Sequence, residues 1–255
     1  MIDIRTLDLA ALNSATKYPP IFTYHELDPK NGNLLDEVTA FTGDVHLTEK
    51  VDGTNARIIS FPDGSYILGS REELLHARGD LILNPKLGIV DSLRSLADRI
   101  TPPGAGIRVH YLEVYGGKVG SASRQYTGDL TIGHRLFDVA EIPLNVLDQP
   151  LASISSWREN SGQRYLAEDE LARLAKTEGV EMTPRLATAE ANTLPRDIDG
   201  MLAFLRGHLP TTRVALDDGA GGRPEGIVLR TSDRSVIAKA RFADYERTIK
   251  RRAKR

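Results

Sequence analysis

Between Val45 and Leu68, short apolar and β-branched runs alternate with tight-turn residues, and this stretch limits the possible folds more than any other. Val45-His46-Leu47-Thr48-Glu49-Lys50 predicts a strand, and Ala56 to Phe61 and Ser65 to Leu68, joined through Pro62-Asp63-Gly64, predict a hairpin. The hairpin begins just after Lys50, so that lysine leaves a strand into the Gly-containing turn Val51-Asp52-Gly53. Such a turn exposes the amine to a pocket. An exposed, solubilising lysine fits the same spacing, and other segments must decide between the two.

Those segments continue the strand-rich pattern. The first forty residues, punctuated by Tyr18-Pro19-Pro20 and Asn31-Gly32-Asn33, form a lead-in. Ile89, Val90, Leu93, Leu96, Ala97 and Ile100 recur at helical spacing, with Asn84-Pro85 as a possible start and Pro102-Pro103-Gly104 as a stop. Ile107 to Tyr115 and Leu130 to Val139 predict two more strands. The texture changes between Glu141 and Arg213, where Leu171, Leu174 and Ala175 mark a helix closing at Gly179 and Ile198 to Leu205 suggest another; this predicts an insertion on the same domain. Gly219 to Gly222 lacks the Lys-Ser/Thr of a phosphate-binding loop and reads as a flexible connector. Two strands, Gly226 to Arg230 and Ser235 to Ala240, then lead into a basic helical tail over 241–255. A chain of 255 residues accommodates all this as one domain.

Composition removes several chemistries. Without cysteine there are no disulfides, thiolate zinc sites or cysteine nucleophiles. The six histidines lack metal-ligand spacing. The N-terminus carries acids where a signal peptide needs a basic start, and no apolar run reaches membrane length, so the expected location is cytoplasmic, away from membranes. A net charge of −2 excludes a surface coated in positive charge but permits a local basic groove. The tail concentrates Arg241, Arg247, Lys250, Arg251, Arg252, Lys254 and Arg255, which suits either a solvated helix end or contact with RNA phosphates.

A lysine nucleophile imposes a demand of its own. Attack on a nucleotide α-phosphate needs the neutral amine, and at a reference pKa of about 10.4 only roughly one lysine in two thousand is neutral at pH 7. Nearby cations and a bound metal disfavour the ammonium form. Lys239 and Arg241, alternating on one strand face, are candidates to supply that positive field.

Lys50-Val51-Asp52-Gly53-Thr54-Asn55 resembles the nucleophile motif of the covalent nucleotidyltransferases, which comprise DNA ligases, RNA ligases and mRNA capping enzymes. Five further segments resemble that superfamily's motifs in the same order: Ser70-Arg71, Tyr111 to Gly116, Arg135 to Val139, Pro224 to Arg230 and Ile237 to Arg241. Asn55 stands where DNA ligases and capping enzymes usually have Arg and RNA ligases have Asn, so the resemblance is to ATP-dependent RNA ligases, particularly the phage type. Asp52 departs from the His common in phage ligases that seal duplexes, and Arg241 departs from the commoner Lys.

The resemblance implies an α+β fold of the ATP-grasp-like ligase adenylation type, with antiparallel sheets around a nucleotide pocket. Only about fourteen residues follow Arg241, too few for a C-terminal oligonucleotide-binding barrel. It implies that Lys50 takes AMP from ATP, Glu49 reads the adenine edge, Phe137 stacks on the base and Glu113 holds the ribose. Lys239 and Arg241 would neutralise the α-phosphate, Glu225 would position Mg²⁺ or Mn²⁺ through water, and Asn55 and Arg71 would act in the later steps. AMP would pass to an RNA 5′-phosphate, which a 3′-hydroxyl then seals. An end-healing kinase or phosphatase is a candidate partner. The rival readings are a DNA ligase or capping-type nucleotidyltransferase, and a non-catalytic nucleotide- or RNA-binding module.

Overall fold

The computed structural model describes residues 6–78, 80–81 and 88–253. Asn84-Pro85 and the tail residues Lys254 and Arg255 lie outside them. In chain order the first elements are α1 (Leu9–Ala15), β1 (His25–Leu27), β2 (Leu34–Val38), β3 (Asp44–Lys50), β4 (Thr54–Ser60) and β5 (Tyr66–Ser70). They are followed by β6 (Leu74–Ala77), β7 (Asp80–Leu81), α2 (Ile89–Ala97), β8 (Ile107–Gly116), β9 (Ile132–Ile142), α3 (Leu151–Glu159) and β10 (Arg164–Tyr165). The last are α4 (Glu168–Glu178), β11 (Arg185–Glu190), α5 (Ile198–His208), β12 (Gly226–Thr231), β13 (Ile237–Arg241) and α6 (Phe242–Arg252). Among the described residues no helix is long and apolar enough to cross a membrane.

These elements form two compact units, one drawn from Met1–Pro19, Gly53–Ser121 and Ile132–Met182, the other from Pro20–Asp52, Ala122–Thr131 and Thr183–Arg255. The stretch 141–213 is therefore shared between them, and the chain passes from the second unit into the first at Asp52–Gly53.

The first unit is built on a seven-stranded antiparallel sheet in the order β10-β9-β8-β4-β5-β6-β7. Side chains alternate across a strand, so each strand feeds two cores. Ala56, Ile58, Leu112 and Val114 pack under α2 and α4, and Ile59, Val109 and Tyr111 pack under α1 and α3. The apolar stripe expected from Ile89 to Ala97 is the buried face of α2, and α4 ends with Gly179 at φ +63°, a left-handed cap that glycine adopts without strain.

The second unit holds a four-stranded antiparallel sheet, β11-β3-β12-β13, and the separate pair β1-β2. One sheet face, with Val45, Leu47, Ile227, Leu229, Ala238 and Ala240, is covered by Ile198, Met201, Leu202 and Leu205 of α5 and Phe242 and Tyr245 of α6. The basic stripe of α6 turns back onto its own unit. Arg247 donates to the Gly32 carbonyl and Asp244, Arg251 to the Asn31 carbonyl and Asn33, and Arg252 to Asp36.

Candidate active site

Strand register in the second unit aligns the basic residues. Lys50 and Arg241 are both opposite Gly226, and Thr48 and Lys239 are both opposite Val228. Directly opposed residues of antiparallel strands share a face, so Thr48, Lys50, Lys239 and Arg241 line the face away from the helices. Gly226 is required there, because a Cβ on it would lie 2.1 Å from the Ala240 carbonyl oxygen.

Lys50 Nζ donates to Glu225 Oε2 at 2.5 Å, with the side chains 25% and 17% exposed. Burial pushes the Glu225 carboxyl above the ordinary carboxylate range against the pull of Lys50, and the negative charge of Asp52 pushes the same way. Burial, followed by the charges of Arg241 and Lys50, holds the Lys239 ammonium below the ordinary lysine value. Among the described residues no carboxylate forms an ion pair with Lys239. Arg241 is fixed differently: its fork meets buried Asp244 at 2.7 and 3.2 Å.

Beside Glu225 a cavity of about 220 Å³ is lined by Asp52, Gln125, Tyr126, Arg223, Glu225 and Phe242, among others. The Asp52 N–H donates to the hydroxyl of fully buried Tyr126 at 2.7 Å. Among the described residues no three His, Cys, Asp or Glu side chains cluster to enclose a metal ion. A pair of carboxylates on one cavity suits instead a divalent cation that keeps most of its waters and takes phosphate oxygens from a nucleotide. The residues present fit such an ion.

Glu49 alternates to the other side of β3 from Lys50. Its carboxylate is buried, accepting the Thr212 hydroxyl and, at 2.8 Å, the Arg213 backbone N–H.

In the first unit β4 and β8 place Asn55 directly opposite Glu113. Glu113 Oε1 accepts the Gly53 N–H at 3.0 Å, and a Cβ at Gly53 would stand 2.2 Å from the Val114 carbonyl oxygen. The Asn55 carboxamide oxygen is buried and has no hydrogen-bond partner among the described residues; such a group in a folded protein points to a ligand or water that completes it. Phe137 is the extra residue of a β-bulge, because Tyr111 pairs with Asp138 and Leu112 with Leu136. Its ring meets Tyr18 edge-on at 5.0 Å and lies at 29° to Tyr111. Arg71 follows β5 one step beyond the Ala56–Ser70 pairing, is exposed, and pairs with Glu72 at 3.4 Å.

Thus Lys50, Glu225, Lys239 and Arg241 come together in one unit, and Asn55 and Glu113 in the other. Sequence reasoning missed Tyr126, Thr212 and Asp244, whose partners are distant in the chain except for the Arg241–Asp244 spacing of a first helical turn. It also took Gly219 to Gly222 for a flexible connector, whereas this stretch is fixed. The Gly221 and Gly222 N–H groups donate to the carbonyls of Arg124 and Gln125 at 2.7 and 3.0 Å. A Cβ on Gly128 would sit 2.9 Å from the Gly219 Cα, so close backbone approach is the reason for glycine.

A family model for RNA ligase matches residues 43–250. Comparison with curated protein sequences gives no significant match. Among solved structures, similarity extends to several of a Naegleria gruberi RNA ligase. A mutant with ATP and Mn is 15% identical, with a TM-score of 0.53 over 92% of this chain and 62% of that one. The ligase with PPi is 14% identical, with a TM-score of 0.52 over 93% and 64%. An apo mutant is 16% identical, with a TM-score of 0.54 over 90% and 63%. The chain therefore spans less than two thirds of the length of these proteins, and at this identity the likeness is one of fold.

Proposed function

The chain belongs to the RNA ligase family, and from that premise we propose that it is an ATP-dependent RNA ligase with Lys50 as its nucleophile. The observation that carries this reading is the contact of Lys50 with Glu225 on a sheet face that also presents Lys239 and Arg241. In the first step the Lys50 ammonium parts from Glu225 and loses a proton to water, the charged form being disfavoured by the neighbouring Lys239 and Arg241. Nζ then attacks the ATP α-phosphorus; the N–P bond forms, the bond to the bridging oxygen breaks, and pyrophosphate leaves. An RNA 5′-phosphate oxygen next attacks the same phosphorus and Lys50 departs, regaining a proton. Finally an RNA 3′-hydroxyl attacks the 5′-phosphate, loses its proton and expels AMP, sealing the strand.

Each assigned residue has a chemical part. Lys239, free of an ion pair among the described residues, and Arg241, oriented by Asp244, offset charge developing on the α-phosphate. Glu113 takes the ribose and Phe137 the adenine face. Glu49, whose carboxylate already anchors Thr212 and Arg213, contributes to the adenine edge from a fixed position. Asn55, with its unpartnered oxygen, and Arg71 orient AMP and the RNA 5′-phosphate in the later steps. Glu225 and Asp52 would hold Mg²⁺ or Mn²⁺ through its waters, and that ion would offset phosphate charge.

Incubation with α-labelled ATP and magnesium, then denaturing electrophoresis, tests the reading. Labelled protein is expected from the native sequence and none from Lys50→Ala. Label that persists in the variant, or is absent from both, overturns the assignment. Parallel incubations with α-labelled GTP, and with nicked RNA against nicked DNA, separate this activity from capping-type and DNA-ligase activity.

A further inference from the structure

Two consecutive backbone N–H groups follow the Lys50 strand, and each is held by a side chain. The Gly53 N–H meets Glu113 at 3.0 Å and the Asp52 N–H meets the Tyr126 hydroxyl at 2.7 Å. Tyr126 lies in the connection between β8 and β9, within the same compact unit as Lys50, and is fully buried. The backbone that carries Tyr126 is fixed as well. The Tyr126 carbonyl accepts the Leu216 N–H at 2.7 Å, and the neighbouring Gly128 N–H donates to Asp217 at 2.8 Å. The glycine-rich stretch pressed against this segment completes the support.

We propose that Tyr126 is a positioning residue for the nucleophile, its hydroxyl clamping the Asp52 peptide so that Lys50 faces Glu225 and Asp52 stays on the cavity that it shares with Glu225. The proposal rests on Lys50 being the nucleophile. A peptide after a strand end has no ladder partner to fix its plane, and a single strong acceptor on a rigid support fixes it. Tyr126 also borders the cavity that Glu225 and Asp52 line, so the clamp sits within one side chain of the reacting amine.

The test compares Tyr126→Phe with Tyr245→Phe. Tyr245 is another fully buried tyrosine of the same unit, whose hydroxyl bonds His25 at 2.9 Å, so its loss costs similar stability without touching the turn. Thermal melts, amide hydrogen exchange at Asp52, and single-turnover lysyl-AMP formation across ATP concentrations are measured on both. Tyr126→Phe is expected to speed exchange at Asp52 and to lower the rate at saturating ATP by about tenfold or more. Its ATP concentration for half-maximal rate should change less than about twofold, because the hydroxyl faces the peptide and not the nucleotide. Tyr245→Phe should leave exchange at Asp52 and the rate as they are. 4-Aminophenylalanine at position 126, close in size but a poor acceptor, repeats the measurement should the Phe variant not fold. Unchanged exchange and rate in the position-126 variants, or an equal loss in Tyr245→Phe, overturn the proposal. A native protein that forms no lysyl-AMP overturns instead the reading beneath it.

Discussion

Alanine at Gly226 would put a Cβ 2.1 Å from the Ala240 carbonyl oxygen and 2.8 Å from the Arg241 Cα. Both obstacles are backbone, so no side chain can swing aside. Carbon and carbonyl oxygen sit at about 3.3 Å in close but tolerated contacts, and relief requires β12 and β13 to part by about 1 Å at this point. Two costs follow. Overpacking of this kind destabilises by about 1–3 kcal/mol. The displaced strand also carries Lys239 and Arg241, while β3 on the other side of Gly226 carries Lys50; a misplacement of about 1 Å at a reacting group can cost about a hundredfold in rate. Urea denaturation gives the first quantity. Single-turnover formation of lysyl-AMP at saturating ATP, well below the melting temperature, gives the second for folded protein. Gly207→Ala is the control, since its Cβ meets nothing within 4 Å on α5 and should stabilise by about 0.5–1 kcal/mol. A Gly226→Ala protein that keeps full stability and labels within threefold of the native rate would refute the claim that strand spacing sets the site.

Glu225→Gln should abolish labelling and change stability in a pH-dependent way. The folded carboxyl lies above its unfolded value, so its contribution is fully present below the unfolded pKa and is lost as pH rises through the folded one; the melting temperature of the variant relative to the native protein should therefore climb from pH 4 to pH 8, and a falling difference would contradict the burial argument. Replacing Arg251 and Arg252 together by Ala should cost about 1 kcal/mol or less, because their partners are exposed loop groups and Asp36. Sealing should keep its salt dependence in that variant, whereas a slope reduced by about two would show that these arginines reach RNA phosphates.

The parts of this molecule legible in the sequence are those whose signals are local. Strand β3 was expected over 45–50 and occupies Asp44–Lys50; the following hairpin, α2, β8, β9, α5, β12 and β13 also appear where periodicity put them. Elements stabilised from outside were not legible. Arg185–Glu190 alternates only through the small Ala187 and Ala189, too weak a signal to read as a strand, yet pairs with β3 as an edge strand. Leu9–Ala15 is two turns long and depends on Asp8, which accepts the Ala10 and Ala11 N–H groups, and on burial under the sheet. The site divides the same way. Lys50, Asn55 and Glu225 sit in short ordered motifs, but Tyr126 finds Asp52 across seventy-four positions, and Thr212 finds Glu49 across a hundred and sixty-three. Glycines 219, 221 and 222 look the same in sequence whether they loosen a linker or admit a neighbouring backbone, and only the tertiary contact with 124–128 distinguishes the two.

Charge pairing explains how such a site is stable before substrate arrives. Lys50 is matched by Glu225 and Arg241 by Asp244, and each pair is at least partly buried, where an uncompensated charge would be costly. Of these cations Lys239 alone has no ion pair among the described residues, and its lowered proton affinity records that burial and two neighbouring positive charges act on it together. A nucleotide phosphate entering this face would meet Lys239 first, since attracting it breaks no existing bond. Engaging Lys50 requires separating it from Glu225, and that separation also frees the carboxylate for a cation. On the proposed mechanism, releasing Lys50 and freeing the carboxylate are thus one event in the geometry of a single 2.5 Å contact, which would tie readiness for attack to the presence of the charged substrate.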